Sequence, residues 1–227
     1  MCSRIVLALA VAAGVGPIMA ANIVQNGSFE DPTIANYYEC VAAPGHACTG
    51  GFTIPAVTGW TVGGVSVDVV SSLAFGGSPQ WWSEDGNQGI DLAGTPGPGS
   101  LEQGLTTVPG MNYALSFWVS SNGGPYPNSL TVDWDGTFLE TIGTPAQGTW
   151  QHYVFSVTGT GSDTLAFSCP FGTNAGALLD NVSVATAPEP ATLGLIGAGL
   201  VLIALRFRRR QVVRVLSGPS DRSEGPF

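Results

Sequence analysis

The sequence predicts an all-β sandwich. Short segments that alternate apolar and polar residues recur along the middle of the chain. Turn residues punctuate them: Asn26-Gly27, Asp85-Gly86, Pro109-Gly110, Asn122-Gly123-Gly124 and Asp135-Gly136. No sustained helical period occurs before residue 191, so the apolar pattern has the two-residue repeat of strands. Gly and Pro make up 48 of 227 residues, yet large β-formers alternate throughout, which excludes disorder.

The elements follow in chain order. Segment 22–26 is a first strand ending at the Asn26-Gly27 turn. Segment 60–62 begins with Trp60, which is assigned to the core. In 65–70, Val65, Val67 and Val69 alternate with Ser66 and Asp68. Segments 88–92 and 100–106 follow the Asp85-Gly86 turn. In 112–120, Tyr113, Leu115, Phe117 and Val119 share one face and should be core. Trp118 then lies opposite, under the edge of the second layer or exposed in a groove. Strands 129–134 and 137–142 flank Asp135-Gly136, a tight hairpin turn that needs a positive φ. Leu130, Val132 and Trp134 share a face, as do Thr131, Asp133 and Asp135. Segments 151–158, 164–169 and 177–185 complete the set.

The ends of the chain bear on compartment. Arg4 precedes a short apolar run, 5–15, then Pro17 and Ala20-Ala21. This is the pattern of a secretory signal peptide over 1–21. Cleavage fits after Ala20 or Ala21, with Ile18 an imperfect −3 residue for the first. At the other end Pro188-Glu189-Pro190 leads into fifteen uncharged residues, 191–205, and then Arg206, Arg208, Arg209 and Arg210. A helix of that length spans roughly 22 Å, short of the roughly 30 Å hydrocarbon core, so snorkelling arginines must complete it. Gly194, Gly197 and Gly199 and the lack of a polar face argue against a soluble helix. The arginines place their end in the cytoplasm. Segment 211–227 is then a disordered cytoplasmic tail.

Charge narrows the function. All seven basic residues are arginines outside residues 21–190, whereas fourteen of the sixteen acidic residues lie inside, giving that stretch a net charge of −14. Without Lys or Arg it cannot clamp phosphates, which excludes nucleic acid and disfavours polyanionic ligands. Partners should be neutral, cationic or bridged by metal. In an oxidising compartment Cys40 and Cys48 should pair and close a small loop. Cys169 is then a buried thiol, although sequence does not fix connectivity and a bridge from Cys169 to either loop cysteine stays open. The spacing has no paired C-x-x-C, so zinc is not expected.

Six words in order carry a resemblance. They are Asn22-Ile23-Val24-Gln25-Asn26-Gly27-Ser28-Phe29-Glu30, Gly59-Trp60, the 65–70 strand, Trp81-Trp82 with Asp85 to Leu92, Pro98-Gly99-Ser100-Leu101-Glu102-Gln103, and Leu179-Asp180-Asn181-Val182-Ser183-Val184. Over 22–186 the chain resembles the choice-of-anchor C family, a bacterial branch of the galactose-binding-like domains whose plant relatives associate with cell-wall polysaccharide. The resemblance implies a galactose-binding-like jelly-roll β-sandwich. Segment 37–53, holding both loop cysteines, has no counterpart in it. The tail, 187–210, resembles the PEP-CTERM sorting signal recognised by exosortase in Gram-negative bacteria that make exopolysaccharide. The seventeen residues past Arg210 depart from that pattern.

Site expectations follow. The resemblance implies one structural calcium ion between the opening and closing strands, with Glu30 and Asp180 as ligands and Asn26 and Asn181 as lesser candidates. Trp81 and Trp82 sit between Gly- and Asp-rich runs and are expected in a loop, where an indole offers a flat apolar platform for a sugar ring. Tyr37, Tyr38 and Tyr126 are further loop candidates for the same role. Catalysis is not expected. His46 and His152 are the only neutral-pH bases, no Gly-x-Ser-x-Gly elbow occurs, and with fourteen acids some carboxylate pair will always fall close. The sequence thus describes an exported, surface or matrix protein that binds neutral polysaccharide without catalysis. It would be held at the inner membrane, with its domain in the periplasm, until an exosortase processes it. The alternatives are a structural or adhesive matrix protein without a specific ligand and, third, a glycan-active enzyme.

Overall fold

The computed structural model describes residues 21–72, 83–123, 128–170, 174–187, 199 and 201–203. Eleven strands occur among them: β1 (Tyr38–Ala42), β2 (Thr61–Gly64), β3 (Ser66–Ser71), β4 (Gln88–Asp91), β5 (Gly99–Thr106), β6 (Asn112–Ser121), β7 (Ser129–Trp134), β8 (Thr137–Gly143), β9 (Gln151–Thr158), β10 (Ser162–Ser168) and β11 (Ala177–Thr186). They form a six-stranded sheet, β1-β3-β4-β11-β6-β9, and a five-stranded sheet, β2-β5-β10-β7-β8. All pairings between these strands are antiparallel, and the two sheets make a jelly-roll sandwich.

Alternation explains the core. Val67, Val69, Ile90, Leu115, Phe117, Val119, Leu179 and Val184 project from the larger sheet. Leu101, Leu105, Leu130, Val132, Leu165 and Phe167 meet them from the smaller. Tyr113, Leu115, Phe117 and Val119 are buried together, as the two-residue period requires, while Trp118 lies half-buried on the opposite face. Trp60 is buried between Phe29 and Phe167, with ring centroids 5.5 and 6.3 Å away, and its indole N–H donates to the Asn26 carbonyl at 3.2 Å. The Asp135-Gly136 hairpin turn has positive φ at both residues.

Two expectations need correction. Segment 22–26 is not a strand. Its backbone instead follows β11 past the end of β4: Ile23 N–H donates to the Val184 carbonyl and Val182 N–H to the Gly27 carbonyl. The approach is so close that a Cβ on Gly27 would lie 2.0 Å from the Val182 carbonyl oxygen. A regular ladder cannot form there, because β11 itself breaks register between Asp180 and Ser183. The second correction is β1, which arises within segment 37–53, expected to be a loop. Tyr38 to Ala42 pair in full register with Val70 to Ser66 of β3. Cys40 and Cys48 form the expected disulfide, with Cα atoms 6.0 Å apart, and Cys169 is a buried thiol.

Residues 1–187 form one compact unit and 188–227 another. Every described strand and the whole described core lie in the first. Of the expected span 191–205, only 199 and 201–203 are described, and they are helical. Among the described residues no helix is long and apolar enough to cross a membrane. The expected signal segment 1–21, apart from Ala21, and the tail 211–227 lie outside the described residues.

Candidate functional site

The outer face of the six-stranded sheet carries the polar chemistry. Strand register lines its residues up in two rows. Tyr38, Val70 and Gly89 stand opposite one another on β1, β3 and β4. Asp180, Trp118 and His152 continue that row on β11, β6 and β9. The Asp180 Cβ is 3.8 Å from where a Gly89 Cβ would stand, which joins the two halves. The neighbouring row runs Cys40, Asp68, Asp91, Leu178 and Ser120.

Three carboxylates on this face are buried: Asp68, Asp91 and Asp180. Asp68 accepts bonds from Thr95, 3.1 Å from its N–H and 3.0 Å from its hydroxyl. Burial still raises its pKa above the ordinary carboxylate range. Asp91 accepts the Ala93 N–H at 2.8 Å and the Asn122 side-chain amide. Burial dominates there too, and with the nearby Asp68 charge pushes it to about 7. Asp180 reaches about 7 for the same reason, with Asp85 adding repulsion. The Ser120 hydroxyl in the second row is buried without a hydrogen-bond partner.

Glu30 and Asp180 grip one turn from two sides. Asp180 Oδ2 accepts the N–H groups of Glu84 and Asp85 at 2.7 and 3.0 Å, and its Oδ1 accepts that of Asn181 at 2.7 Å. Glu30 Oε1 accepts the N–H groups of Asn87 and Gln88 at 2.6 and 2.7 Å. The Asn181 amide donates to Glu84 Oε2 at 2.7 Å. Gly86 lies between the two grips in the left-handed region, where a Cβ would stand 2.4 Å from Glu30 Oε1. Asn26 spends its side chain on its own loop, accepting the Asp31 N–H and donating to the Asp31 and Thr58 carbonyls. Among the described residues no group of three or more His, Cys, Asp or Glu converges as metal ligands. An ion beside Glu30 and Asp180 would therefore draw most of its roughly six to eight oxygens from carbonyls and water.

Aromatic rings gather at the β1 edge. Tyr37 and Tyr38 meet edge to face at 4.9 Å, and Phe52 approaches both, at 5.9 and 5.8 Å. Phe52 remains 37% exposed. The backbone holds the group in place, since Cys40 N–H donates to the Phe52 carbonyl and Ile54 N–H to the Cys40 carbonyl. The Cys40–Cys48 bridge closes the loop between them. Burial, followed by the Tyr37 and Asp68 charges, raises the Tyr38 phenol above its ordinary pKa. At the far edge of the sheet the Trp118 indole stacks on the His152 imidazole at 4.8 Å. Trp81, Trp82 and Tyr126 lie outside the described residues, as do Pro188, Glu189, Pro190, Arg206, Arg208, Arg209 and Arg210.

A family profile described as "Protein of unknown function (DUF642)" matches residues 22–185. The chain belongs to the DUF642 family. The choice-of-anchor C name suggested by the motifs is not the one matched. A PEP-CTERM protein-sorting motif matches residues 186–210, directly after the DUF642 domain, and points to export with exosortase sorting. No curated protein matches the chain. Among solved structures the chain is similar to TmCBM61 in complex with β-1,4-galactotriose, at 16% identity and TM-score 0.49, covering 74% of this chain and 100% of that one. It is also similar to the CBM22-1 xylan-binding domain of Paenibacillus barcinonensis Xyn10C, at 18% identity and TM-score 0.41, covering 58% and 88%. A family 35 carbohydrate-binding module from Clostridium thermocellum shares 18% identity at TM-score 0.36, covering 45% and 80%.

Of the sites expected in this DUF642 domain, Tyr37 and Tyr38 do come together, and Glu30 and Asp180 do approach one loop. Phe52, the Trp118–His152 stack and the buried pair Asp68 and Asp91 were not anticipated. Asp68 and Asp91 had a sequence signal, since each is an acid at an outward position between strongly apolar neighbours. Phe52 had none, because its place depends on segment 52–54 bonding back to Cys40 along β1.

Proposed function

We propose that this chain is an exported, non-catalytic carbohydrate-binding protein, sorted by an exosortase and displayed at the cell surface or in its matrix. The observation that carries the reading is the cluster of Tyr37, Tyr38 and Phe52. Rings held by backbone pairing and a disulfide lose little freedom on binding, so a sugar face can stack on them at low entropic cost. The ligand class is a neutral polysaccharide, in line with a domain that has no Lys or Arg. The host's own exopolysaccharide is the natural candidate. Trp81, Trp82 and Tyr126 belong to the same proposal as further stacking residues. Binding at one such site is weak, and many copies on one surface would strengthen it.

The test is a glycan array and titration calorimetry with residues 22–187. Tyr38→Ala and Phe52→Ala should each weaken the best saccharide about tenfold, equivalent to roughly 1.4 kcal/mol, without lowering the melting temperature by more than a few degrees. Absence of binding to every glycan, the host polysaccharide included, would sink the proposal. A structural or adhesive matrix protein is the second reading, favoured by the burial of Trp60 and Trp134 in the core rather than on the surface.

A calcium ion belongs to the proposal as a separate element, with Glu30 and Asp180 as its carboxylate ligands. Glu84 and Asp85 bring further negative charge to that turn, in a domain with no Lys or Arg. A cation there would relieve the repulsion that Asp85 exerts on Asp180.

A further inference from the structure

Four strands end the two sheets: β1 and β9 in the larger, β2 and β8 in the smaller. An edge strand exposes a row of N–H and C=O groups that another chain can pair with. Proteins guard such edges by covering them, shortening them, bending them or placing charge on them. β1 is covered, because segment 52–54 bonds to Cys40 along its outer side. β2 is four residues long and ends in Gly63-Gly64, with Gly64 in the left-handed region. β8 carries Glu140 and breaks register with β7.

β9 has none of these devices. Its eight residues, Gln151 to Thr158, contain no Lys, Arg, Asp, Glu, Pro or Gly. All eight pair with β6 without a bulge. Among the described residues, the backbone groups of 151–157 bond to no segment other than β6. This uncharged edge lies in a stretch of net charge −14.

We propose that β9 is a self-association edge. Two copies pair β9 to β9, antiparallel about a twofold axis at Val154, and join their six-stranded sheets into one sheet of twelve. Opposed residues in such a pair must share a face, and this register meets that condition throughout. Val154, 59% exposed, meets the partner's Val154 on the outer face. His152 stands opposite the partner's Ser156, an imidazole against a hydroxyl. Tyr153 stands opposite the partner's Phe155 on the inner face, twice by symmetry. Both rings are half-buried and stack on Phe117 at 6.0 and 5.9 Å, so the partner completes a burial already begun.

The chemistry favours a second copy over another protein. Each position finds a suitable partner in the same strand read backwards, as an isologous interface requires. A basic protein would be drawn to the acidic faces and would find no charge on β9. The pairing also places the two Tyr37–Tyr38–Phe52 clusters at opposite ends of the joined sheet, about 50 Å apart at about 4.8 Å per strand. The inference does not depend on those clusters binding sugar.

Sedimentation velocity of residues 22–187, which hold all the described strands and core, tests the proposal. We expect a monomer–dimer equilibrium that shifts toward dimer as salt rises, because salt screens the net charge. Val154→Lys should weaken dimerisation at least tenfold with an unchanged melting temperature. On mild oxidation Val154→Cys should give a disulfide-linked dimer, whereas Val108→Cys, at a position 55% exposed outside β9, should not. A monomer at millimolar protein and high salt would overturn the proposal. So would a Val154→Lys variant that dimerises like the parent, or a strand partner found in another protein while the chain itself stays monomeric.

Discussion

Asp91 and Asp180 are buried carboxylates in a domain that has no Lys or Arg to pair with them. Their hydrogen bonds hold loops in place, but donors alone do not offset the loss of water, and both are pushed to about 7. In the unfolded chain an aspartate ionises near pH 4. Between about pH 4 and 7 the fold therefore binds more protons than the unfolded chain, and stability falls as pH rises through that window. Asp163 works in the opposite sense. Despite its burial, bonds from Thr107, Thr160 and Gly161 lower its pKa, so its contribution is lost only in stronger acid. The melting temperature should accordingly be higher at pH 5 than at pH 8. Asp91→Asn keeps the shape, and the Asn122 amide can turn to present its oxygen. This variant should remove roughly half of the pH 5 to 8 difference, a change on the order of a few kcal/mol. An undiminished difference at high salt would show that Asp91 is not a titrating group.

At the scale of elements, β1 is held by three means: its ladder to β3, the 52–54 segment on its outer side, and the Cys40–Cys48 bridge. A bridge closing so short a loop is worth about 2.5 kcal/mol by chain entropy. Replacing both cysteines by serine should cost about that much in urea unfolding. It should also weaken saccharide binding more than stability, because Phe52 loses its anchor; equal loss of both would mean the loop only stabilises. The same element shows where sequence reading ends. The β6 face was legible because Tyr113, Leu115, Phe117 and Val119 obey a period that water enforces. β1 was not, because its ladder partner β3 lies far along the chain and Cys40 is buried facing the distant Thr95, while Glu39 is taken up by the preceding turn, accepting from Ala35 and Asn36. Segment 22–26 misled for a related reason. Its apolar residues do pack, but β11 offers it a bulge rather than a ladder. At the candidate site, the tyrosines were visible as loop aromatics, whereas the ring that completes their cluster is placed by backbone pairing of 52–54 with Cys40, which no local sequence pattern announces.

At the scale of the whole molecule, thirteen acids with no Lys or Arg set the domain against itself. Self-repulsion of this kind is screened over a Debye length of about 10 Å at 0.1 M salt, so sodium chloride should raise the melting temperature by a few degrees. Divalent cations separate screening from site binding. Magnesium demands near-octahedral geometry and keeps its waters, whereas calcium accepts irregular sets of carboxylates and carbonyls. If Glu30 and Asp180 hold an ion at the 83–88 turn, millimolar calcium should raise the melting temperature beyond magnesium at the same ionic strength. Glu30→Gln should erase that margin, since its amide oxygen still accepts the Asn87 and Gln88 N–H groups while the charge is gone. A rise that is equal for both cations, and matched by sodium chloride, would mean that the acids are merely screened. The turn would then be held by its N–H donors alone.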